Sequence, residues 1–312
     1  MDIHDLLILG GGPAGYTAAL YAARAGLDTL LLEQRGPGGQ MAQAHRIDNS
    51  PGFDEGIAGY ELALRMQRGA ARFGAQTAAA RVTALALDAA PFRARTAEAE
   101  FAGRALILAM GAEPRTLGLP GEDALTGHGV SYCAACDGML YRGRTVAVVG
   151  GGNSAAADAL LLSRVAAQVV LIHRRDRLRA DAVLTRALDA APNVCFRWTC
   201  TVAALEGGDA LTGVRLRHLR TGAEEPLPCE GLFVCIGRTP ATALLRDWLP
   251  LDDAGYVPAD ETTRTAIPGV FAAGDLRRKP LRQVITAAAD GAAAAHAAAE
   301  FLHFTENLQS LN

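Results

Sequence analysis

The sequence has no long apolar run and no excess of positive charge. Half of its 312 residues are hydrophobic, but no stretch reaches the about 18 residues that a membrane-spanning helix needs. The formal net charge is -3, which leaves no basic surface of the kind that binds nucleic acid. The chain starts with acidic residues, whereas a secretory signal starts with basic ones. We therefore expect a soluble cytoplasmic protein that binds neither a membrane nor nucleic acid.

Lysine is almost missing from the chain. Lys279 is the only lysine, so arginine supplies 29 of the 30 basic residues. Alanine is very common at the same time, and a coding bias of the source genome explains both features. In the sequence alone, the shortage of lysine carries no functional information.

Cysteine is scarce and unevenly spaced. Four of the six cysteines are dispersed, and the other two form the pair Cys133-Ala134-Ala135-Cys136. This spacing brings two sulfurs together across one turn, and a helix N-terminus can stabilise one thiolate. In a reducing compartment a close pair indicates redox or metal chemistry rather than a structural disulfide.

A zinc site and a pair of inert buried cysteines are the alternatives to a redox pair. Zinc usually takes about four ligands from two close pairs, and the chain has neither a second CxxC motif nor a histidine-rich segment. The polar neighbour Asp137 argues against two inert cysteines. We therefore favour a redox-active Cys133–Cys136 pair and expect no metal site.

One motif occurs twice in the chain: a buried strand, a glycine-rich turn, a helix and a second strand. The first copy spans residues 5–33 with its turn at 10–15, and the second spans residues 145–173 with its turn at 150–155. Glycines in such a turn let the chain approach a pyrophosphate at the positive end of the following helix. One glycine-rich turn is weak evidence, but two in the same context predict two dinucleotide-binding units.

The two copies end in residues of different charge. The first ends at Glu33, and a carboxylate there accepts hydrogen bonds from the ribose hydroxyls of an unphosphorylated dinucleotide such as FAD or NAD. The second ends at His173, followed by Arg174 and Arg175, with Arg179 beyond. Guanidinium groups suit a 2′-phosphate, and a solvated basic face is the alternative. We therefore predict that the second unit binds NADPH.

A short apolar segment near the C-terminus favours a flavin at the first unit. Residues 269–273 are typical of a strand and are followed by Gly274-Asp275. An aspartate at this point can bind the ribityl chain of FAD.

Together these motifs resemble those of the low-molecular-weight thioredoxin reductase family over nearly the whole chain. The motifs that carry the resemblance lie at residues 10–15, 38–40, 48–52, 129–138, 150–154, 173–179, 273–275 and 282–288. The resemblance implies an enzyme that uses NADPH, FAD and the Cys133–Cys136 pair to reduce the disulfide of a thioredoxin or thioredoxin-fold protein.

The resemblance also implies an α/β fold of two Rossmann-like dinucleotide-binding domains, with the NADPH domain inserted in the FAD domain. The FAD domain is expected to comprise residues 1–115 and 245–312, and the NADPH domain residues 116–244, with the CxxC motif. Proline and glycine punctuate the chain near both crossings. Family members are usually homodimers, so a homodimer is expected.

The catalytic residues implied by the resemblance are Cys133, Cys136 and Asp137. Cys136 is expected to face the flavin, Cys133 to attack the protein substrate, and Asp137 to act as acid and base for the departing thiolate. Rotation of the NADPH domain is expected to alternate between two arrangements for the two half-reactions. The expected FAD contacts are Gly10, Gly12, Pro13, Ala14, Gly15, Glu33, Gln34, Gly39, Gln40, Asn49, Val82, Gly111, Gly274, Asp275, Arg282, Gln283 and Val284. The expected NADPH contacts are Gly150, Gly152, Asn153, Ser154, His173, Arg174, Arg175 and Arg179.

The sequence departs from the family near the expected docking surface. His128 stands where the family often has arginine or lysine, and Met139-Leu140 stand where better-known members have an aromatic pair. A reductase for another thioredoxin-fold carrier and a dithiol oxidase are the enzymatic alternatives, and a flavin-binding sensor is the non-enzymatic one. Dithiol oxidases tend to lack the arginine cluster, and a sensor has no need of both an NADPH site and a dithiol.

Overall fold

Strands and helices alternate in two parts of the chain, residues 3–79 and 122–198, and consecutive strands follow each part. The computed structural model describes residues 2–44 and 46–309. The α-helices are α1 (Pro13–Arg24), α2 (Gly59–Ala71), α3 (Glu122–Leu125), α4 (Ala134–Asp137), α5 (Asn153–Ser163), α6 (Ala182–Asp189) and α7 (Val284–Gln309). The strands are β1 (Ile3–Leu9), β2 (Thr29–Glu33), β3 (Gln76–Ala79), β4 (Ala84–Ala86), β5 (Phe92–Arg95), β6 (Glu100–Leu108), β7 (Ala112–Pro114), β8 (Val130–Ser131), β9 (Thr145–Gly150), β10 (Gln168–His173), β11 (Val194–Trp198), β12 (Cys200–Gly207), β13 (Leu211–His218), β14 (Glu224–Pro228), β15 (Gly231–Cys235), β16 (Arg238–Pro240) and β17 (Val270–Ala272).

The chain divides into two units, each with its own sheets and hydrophobic core. The outer unit comprises Met1–Glu113 and Thr239–Asn312, and the inserted unit comprises Pro114–Arg238. The α/β fold with one dinucleotide-binding domain inserted in the other is therefore confirmed. The sequence predicts that the chain passes from one domain to the other after residues 115 and 244. In the structure these passages follow Glu113 and Arg238, a few residues earlier.

The outer unit contains a seven-stranded sheet. Its strand order is β3-β2-β1-β6-β5-β4, and β17 pairs with β6. β1 pairs in parallel with β2 and β6, whereas β4, β5 and β6 pair antiparallel. Leu6, Leu7 and Ile8 of β1 are all 0% exposed, as expected for a parallel strand that is covered on both faces.

Alanine-rich helices cover one face of this sheet. Ala18 of α1 and Ala298 of α7 are fully buried in the same hydrophobic cluster. A Cβ at Gly291 of α7 would lie 2.1 Å from the carbonyl oxygen of Ala14, so α1 and α7 are in close backbone contact there. The alanine and glycine residues of these helices therefore let the two helices pack closely, in addition to reflecting the coding bias of the genome.

The inserted unit is built on a five-stranded parallel sheet with the order β11-β10-β9-β15-β8. Val148 of β9 belongs to the hydrophobic cluster that contains the buried alanines of α5. Ala147 of the same strand belongs to a second cluster with Val214 of β13. This second cluster joins the parallel sheet to a three-stranded antiparallel sheet of β12, β13 and β14.

The two segments that connect the units pair with each other. β7 and β16 form a two-stranded sheet. Among the described residues, no helix combines the length and the apolar character needed to cross a membrane.

Candidate functional site

The first glycine turn connects β1 to α1. Gly10 has a φ of 104°, and a Cβ there would lie 2.5 Å from the carbonyl oxygen of Ala109. A Cβ at Gly15 would lie 1.8 Å from the carbonyl oxygen of Gly10, so both positions require glycine. At Gly12, by contrast, a Cβ would meet no atom within 4 Å. A pyrophosphate can therefore approach the backbone at Gly12, and Pro13 starts α1 there without loss of a helical hydrogen bond.

Glu33 ends β2 beside this turn. Its carboxylate accepts hydrogen bonds from the backbone N–H of Gly11 at 2.5 Å and of Arg35 at 2.8 Å. These two bonds fix the carboxylate against the turn. Glu33 is half-buried, so a ribose hydroxyl at this edge would meet an acceptor whose position is already set.

Three of the expected FAD contacts come together before α7. Asn49 Nδ2 donates a hydrogen bond to Gln283 Oε1 at 3.0 Å. The neighbouring Arg282 guanidinium lies 4.3 Å from the centroid of the Tyr256 ring. Its Nε is buried and has no hydrogen-bond partner within the described part of the chain. Because a buried donor without a partner is costly, this place fits a bound group that accepts a hydrogen bond from Arg282.

The other residues expected to contact FAD belong to the same unit. The Gln40 side chain donates to the carbonyl oxygen of Ala112, and Gly111 accepts a hydrogen bond from the N–H of Ala241 at 3.0 Å. Val82 packs against the hydrophobic core. Gln34 and Gly39 are exposed, Asp275 and Val284 are half-buried, and Ala14 and Gly274 are buried.

The second glycine turn connects β9 to α5 in the inserted unit. A Cβ at Gly150 would lie 2.4 Å from the carbonyl oxygen of Cys235, whereas one at Gly152 would meet no atom within 4 Å. Ser154, in the first turn of α5, is exposed. As in the first turn, the first glycine has no room for a side chain, and the third glycine has open space in front of it. This turn therefore also fits a pyrophosphate.

His173 lies beneath this turn. A Cβ at Gly151 would be 2.1 Å from the His173 ring, and His173 is only 5% exposed. Burial lowers the pKa of His173, and the charges of Arg179, Arg175 and Arg174 lower it further. The ring is therefore neutral at neutral pH, and the positive charge of this region comes from the arginines. A direct contact of His173 with NADPH stays a prediction.

An arginine-lined cleft of about 720 Å³ follows β10. The arginines that line it are Arg174, Arg175, Arg177, Arg179 and Arg220, together with Asp176. The three arginines predicted to bind the 2′-phosphate therefore lie in one concave place. A phosphate there would meet several guanidinium groups, the donors that best match its geometry.

Sequence reasoning missed one wall of this cleft. Thr199, Leu219 and Arg220 line it as well. The Thr199 N–H donates to the carbonyl oxygen of Arg175 at 3.1 Å, and the Leu219 N–H donates to that of Thr199 at 2.7 Å. The turn after β13 is thus tied to the loop after β10. These residues are far apart along the chain, and no local motif marks their contact.

Asn153 and Arg179 fix the loop between β10 and α6. Asn153 Nδ2 donates to Asp181 Oδ2 at 2.9 Å, and the Asp181 N–H donates to Asn153 Oδ1 at 2.8 Å. The Arg179 N–H donates to the carbonyl oxygen of Gly151 at 2.7 Å. Asn153 therefore holds the arginine-bearing loop beside the glycine turn. Its direct contact with NADPH stays a prediction.

Cys133 and Cys136 form a disulfide, with their Cα atoms 5.3 Å apart. Cys133 lies between β8 and the single-turn helix α4, and the Cys136 N–H donates to the carbonyl oxygen of Cys133 at 3.1 Å. Both cysteines are partly exposed. The pair is therefore positioned for exchange between disulfide and dithiol.

Ser131 links the groups around this disulfide. Its hydroxyl donates to Asp137 Oδ2 at 2.6 Å and accepts a hydrogen bond from the Cys133 N–H at 3.1 Å. Ser131 is 4% exposed, so its position is fixed by the fold. Ser131 is not among the site residues that the sequence predicts. A serine in a buried strand next to a CxxC motif is the signal that was available, because a buried hydroxyl needs partners.

Three of the four other cysteines are poorly suited to redox chemistry. Burial raises the pKa of Cys200, and it raises that of Cys229 to about 12. Burial, and then the charge of Asp158, raise the pKa of Cys235, whose Sγ donates to Asp158 Oδ2 at 3.0 Å. Thiols of raised pKa are poor nucleophiles at neutral pH. Across residues 2–44 and 46–309, no group of three or more His, Cys, Asp and Glu side chains is arranged to hold a metal ion.

Two dinucleotide-binding units and a disulfide in one chain define a pyridine nucleotide-disulphide oxidoreductase, and the model of that family matches residues 4–291. The thioredoxin reductase of Treponema pallidum is 42% identical and aligns over 97% of this chain and 99% of its own. The bifunctional thioredoxin reductase/thioredoxin of Mycobacterium leprae is 45% identical over 94% of this chain and 64% of its own. The crystal structure of thioredoxin reductase from Streptococcus pyogenes has a TM-score of 0.90 and 39% identity, over 97% of this chain and 99% of its own.

The chain therefore belongs to the low-molecular-weight thioredoxin reductase family. This result confirms the predicted family and the predicted cofactors, FAD and NADPH.

Proposed function

We propose that this protein reduces the disulfide of thioredoxin with electrons from NADPH. The observation that carries the proposal is the Cys133–Cys136 disulfide, with Asp137 held beside it by Ser131. When bound, NADPH supplies a hydride and FAD passes the two electrons on to this disulfide.

The outer unit is assigned to FAD. The backbone at Gly12 would hold the pyrophosphate, and Glu33 would accept hydrogen bonds from the ribose. Asp275 would bind the ribityl chain, and the buried Nε of Arg282 would donate a hydrogen bond to the flavin. These roles are supported by the open approach at the first glycine turn and by the unpaired donor before α7.

The inserted unit is assigned to NADPH. The open backbone at Gly152 would hold the pyrophosphate of NADPH, and Arg174, Arg175 and Arg179 of the cleft would bind its 2′-phosphate. The cluster of guanidinium groups in the cleft supports NADPH over NADH, because NADH lacks the 2′-phosphate that would pair with them.

The reduced pair carries out the chemistry on the protein substrate. The Cys133 thiolate attacks one sulfur of the thioredoxin disulfide, and the other thioredoxin sulfur leaves as a thiolate. Cys136 then attacks the Cys133 sulfur, which re-forms the Cys133–Cys136 disulfide and releases the second thioredoxin sulfur. Asp137 donates a proton to a departing thiolate, and Ser131 keeps its carboxylate in place.

The docking surface for thioredoxin is built around His128, Met139, Leu140 and Arg142. Met139 and Leu140 are both 55% exposed, and flexible apolar side chains of this kind adapt to a partner better than rigid rings. His128 stands where the family often has arginine or lysine, so fixed positive charge contributes less to docking. We expect thioredoxins of the source organism to be preferred over those of distant species.

The protein acts in the cytoplasm and forms a homodimer, as the family resemblance implies. The inserted unit rotates between the two half-reactions. Because the chain passes between the units only at the connecting segments β7 and β16, the rotation changes backbone dihedral angles at few positions.

The proposal is tested by steady-state kinetics with NADPH and the thioredoxins of the source organism. The expected result is rapid NADPH oxidation that depends on oxidised thioredoxin and is much slower with NADH. If no thioredoxin is reduced while a small dithiol is oxidised with oxygen, the protein is a dithiol oxidase instead.

A further inference from the structure

A buried carboxylate of α7 binds two cations and one backbone amide. Asp290 Oδ2 accepts hydrogen bonds from the Gly274 N–H at 2.9 Å, from Arg277 Nε at 2.8 Å and from Lys279 Nζ at 2.8 Å. Its Oδ1 accepts one from Arg277 Nη2 at 2.7 Å. The side chains of Asp290, Arg277 and Lys279 are only 6%, 5% and 4% exposed.

The only lysine of the chain is a member of this network. Every other basic residue is an arginine, but the Asp290 carboxylate is already occupied on both oxygens by the planar guanidinium of Arg277. A compact ammonium can reach the same oxygen where a second planar group needs more room. The structure therefore explains why position 279 is a lysine and not an arginine, which composition alone does not show.

The network is not explained by stability alone. Burial of two cations and one anion is costly, and well-packed apolar side chains are often at least as stabilising. The nearby Glu261 compensates little, since it is 93% exposed at 3.3 Å from Arg277. Burial would raise the pKa of Asp290, but hydrogen bonds from Arg277 and Lys279 outweigh it and lower the pKa. The carboxylate is therefore charged at neutral pH.

The network lies where the two parts of the outer unit meet. Gly274 precedes Asp275, and a Cβ at Gly274 would lie 2.9 Å from the Ala14 Cβ. Gly291, next to Asp290, contacts the carbonyl oxygen of Ala14 so closely that a Cβ would lie 2.1 Å away. Ala14 belongs to the first turn of α1, directly after the glycine turn.

We propose that Asp290 is a positioning residue for FAD: it holds the Gly274-Asp275 segment against the start of α1, and FAD affinity depends on where its carboxylate lies. Arg277, which donates to both oxygens, fixes that carboxylate. This inference rests on the proposed assignment of FAD to the outer unit.

The test measures the dissociation constant of FAD for the full-length chain, after removal and re-titration of the flavin. Asp290→Glu keeps the charge but moves the carboxylate by about 1.5 Å, one carbon–carbon bond. We expect the dissociation constant to rise about ten- to a hundredfold, the range for loss of a charged hydrogen bond. Asp290→Asn should weaken FAD at least as much.

Two variants serve as controls. Glu300→Gln removes an exposed carboxylate of the same helix that pairs with Arg264 at 3.3 Å, and it should leave FAD affinity unchanged. Lys279→Met leaves Arg277 and Gly274 bound to Asp290, so affinity should stay within about threefold of wild type. A tenfold loss of FAD affinity in Lys279→Met would mean that the net charge of the network, and not the position of the Asp290 carboxylate, controls FAD affinity. That result would overturn the proposal.

Unfolding of the flavin-free variants is measured in parallel. Unchanged FAD affinity in Asp290→Glu, or a loss of stability without a change in affinity, would refute the positioning role. If Asp290→Asn does not fold, Asp290→Glu alone decides. A wild-type chain that takes up no FAD would instead contradict the proposed function, so the two failures are distinguishable.

Discussion

Loss of one cleft arginine should reduce the preference for NADPH without affecting NADH. Arg174→Ser and Arg175→Ser each remove a guanidinium from the cleft of about 720 Å³. A charge-assisted hydrogen bond is worth about 1.5–3 kcal/mol, or roughly ten- to a hundredfold in affinity. Both side chains are exposed, so screening by solvent places each expected loss near tenfold. The effect should shrink as the salt concentration rises.

The assay is steady-state reduction of an artificial electron acceptor, which does not require thioredoxin to dock. KM should rise for NADPH and stay constant for NADH, with little change in kcat. Arg186→Ser is the matched control, because Arg186 is an exposed arginine of the same unit that does not line the cleft. Equal losses for both nucleotides, or no loss for either, would refute the assignment of the cleft to the 2′-phosphate.

Three other features of the site can be tested by substitution. Glu33→Gln should weaken FAD binding by about 1.5–3 kcal/mol, since it removes a charged acceptor; full retention of FAD on dialysis would count against the ribose contact. Ser131→Ala and Asp137→Asn should both slow thioredoxin reduction while leaving NADPH oxidation by an artificial acceptor nearly intact, and unchanged turnover across the pH range would remove both from the mechanism. Burial and the arginines keep the pKa of His173 below its usual value, so its stabilising contribution is complete above the unfolded pKa of about 6.5 and is lost as the pH falls towards the folded pKa. His173→Asn should therefore flatten the fall in unfolding free energy between about pH 7 and pH 5, and a parallel fall in both proteins would contradict this linkage.

Local patterns in the sequence predict the parts of the fold that depend on neighbouring residues. The expected first strand, residues 5–9, lies within β1 (Ile3–Leu9), because a buried parallel strand is a continuous apolar run. Both glycine turns follow their strands as expected, because steric contacts at Gly10 and Gly150 tolerate no side chain. The CxxC disulfide is local as well.

Contacts between distant residues could not be predicted in this way. Arg220 reaches the cleft only because β12 and β13 pair and place the following turn beside the loop after β10. Lys279 provides a second example: composition gave it no role, and only the position of α7 shows that its ammonium is bound by Asp290. Ser131 lies close to the CxxC motif in sequence, but its hydrogen bond to Asp137 depends on the side-chain direction at the end of β8.

The central claim is that electrons from NADPH pass through the Cys133–Cys136 disulfide. Anaerobic titration of the FAD-loaded enzyme with a two-electron reductant tests it most directly, because flavin and disulfide each accept one electron pair. Wild type should consume about two equivalents per chain before the flavin is fully reduced, and the Cys133→Ser/Cys136→Ser double variant should consume about one. The double variant should also reduce an artificial acceptor but not thioredoxin. Equal consumption by the two proteins, or thioredoxin reduction by the double variant, would contradict the account.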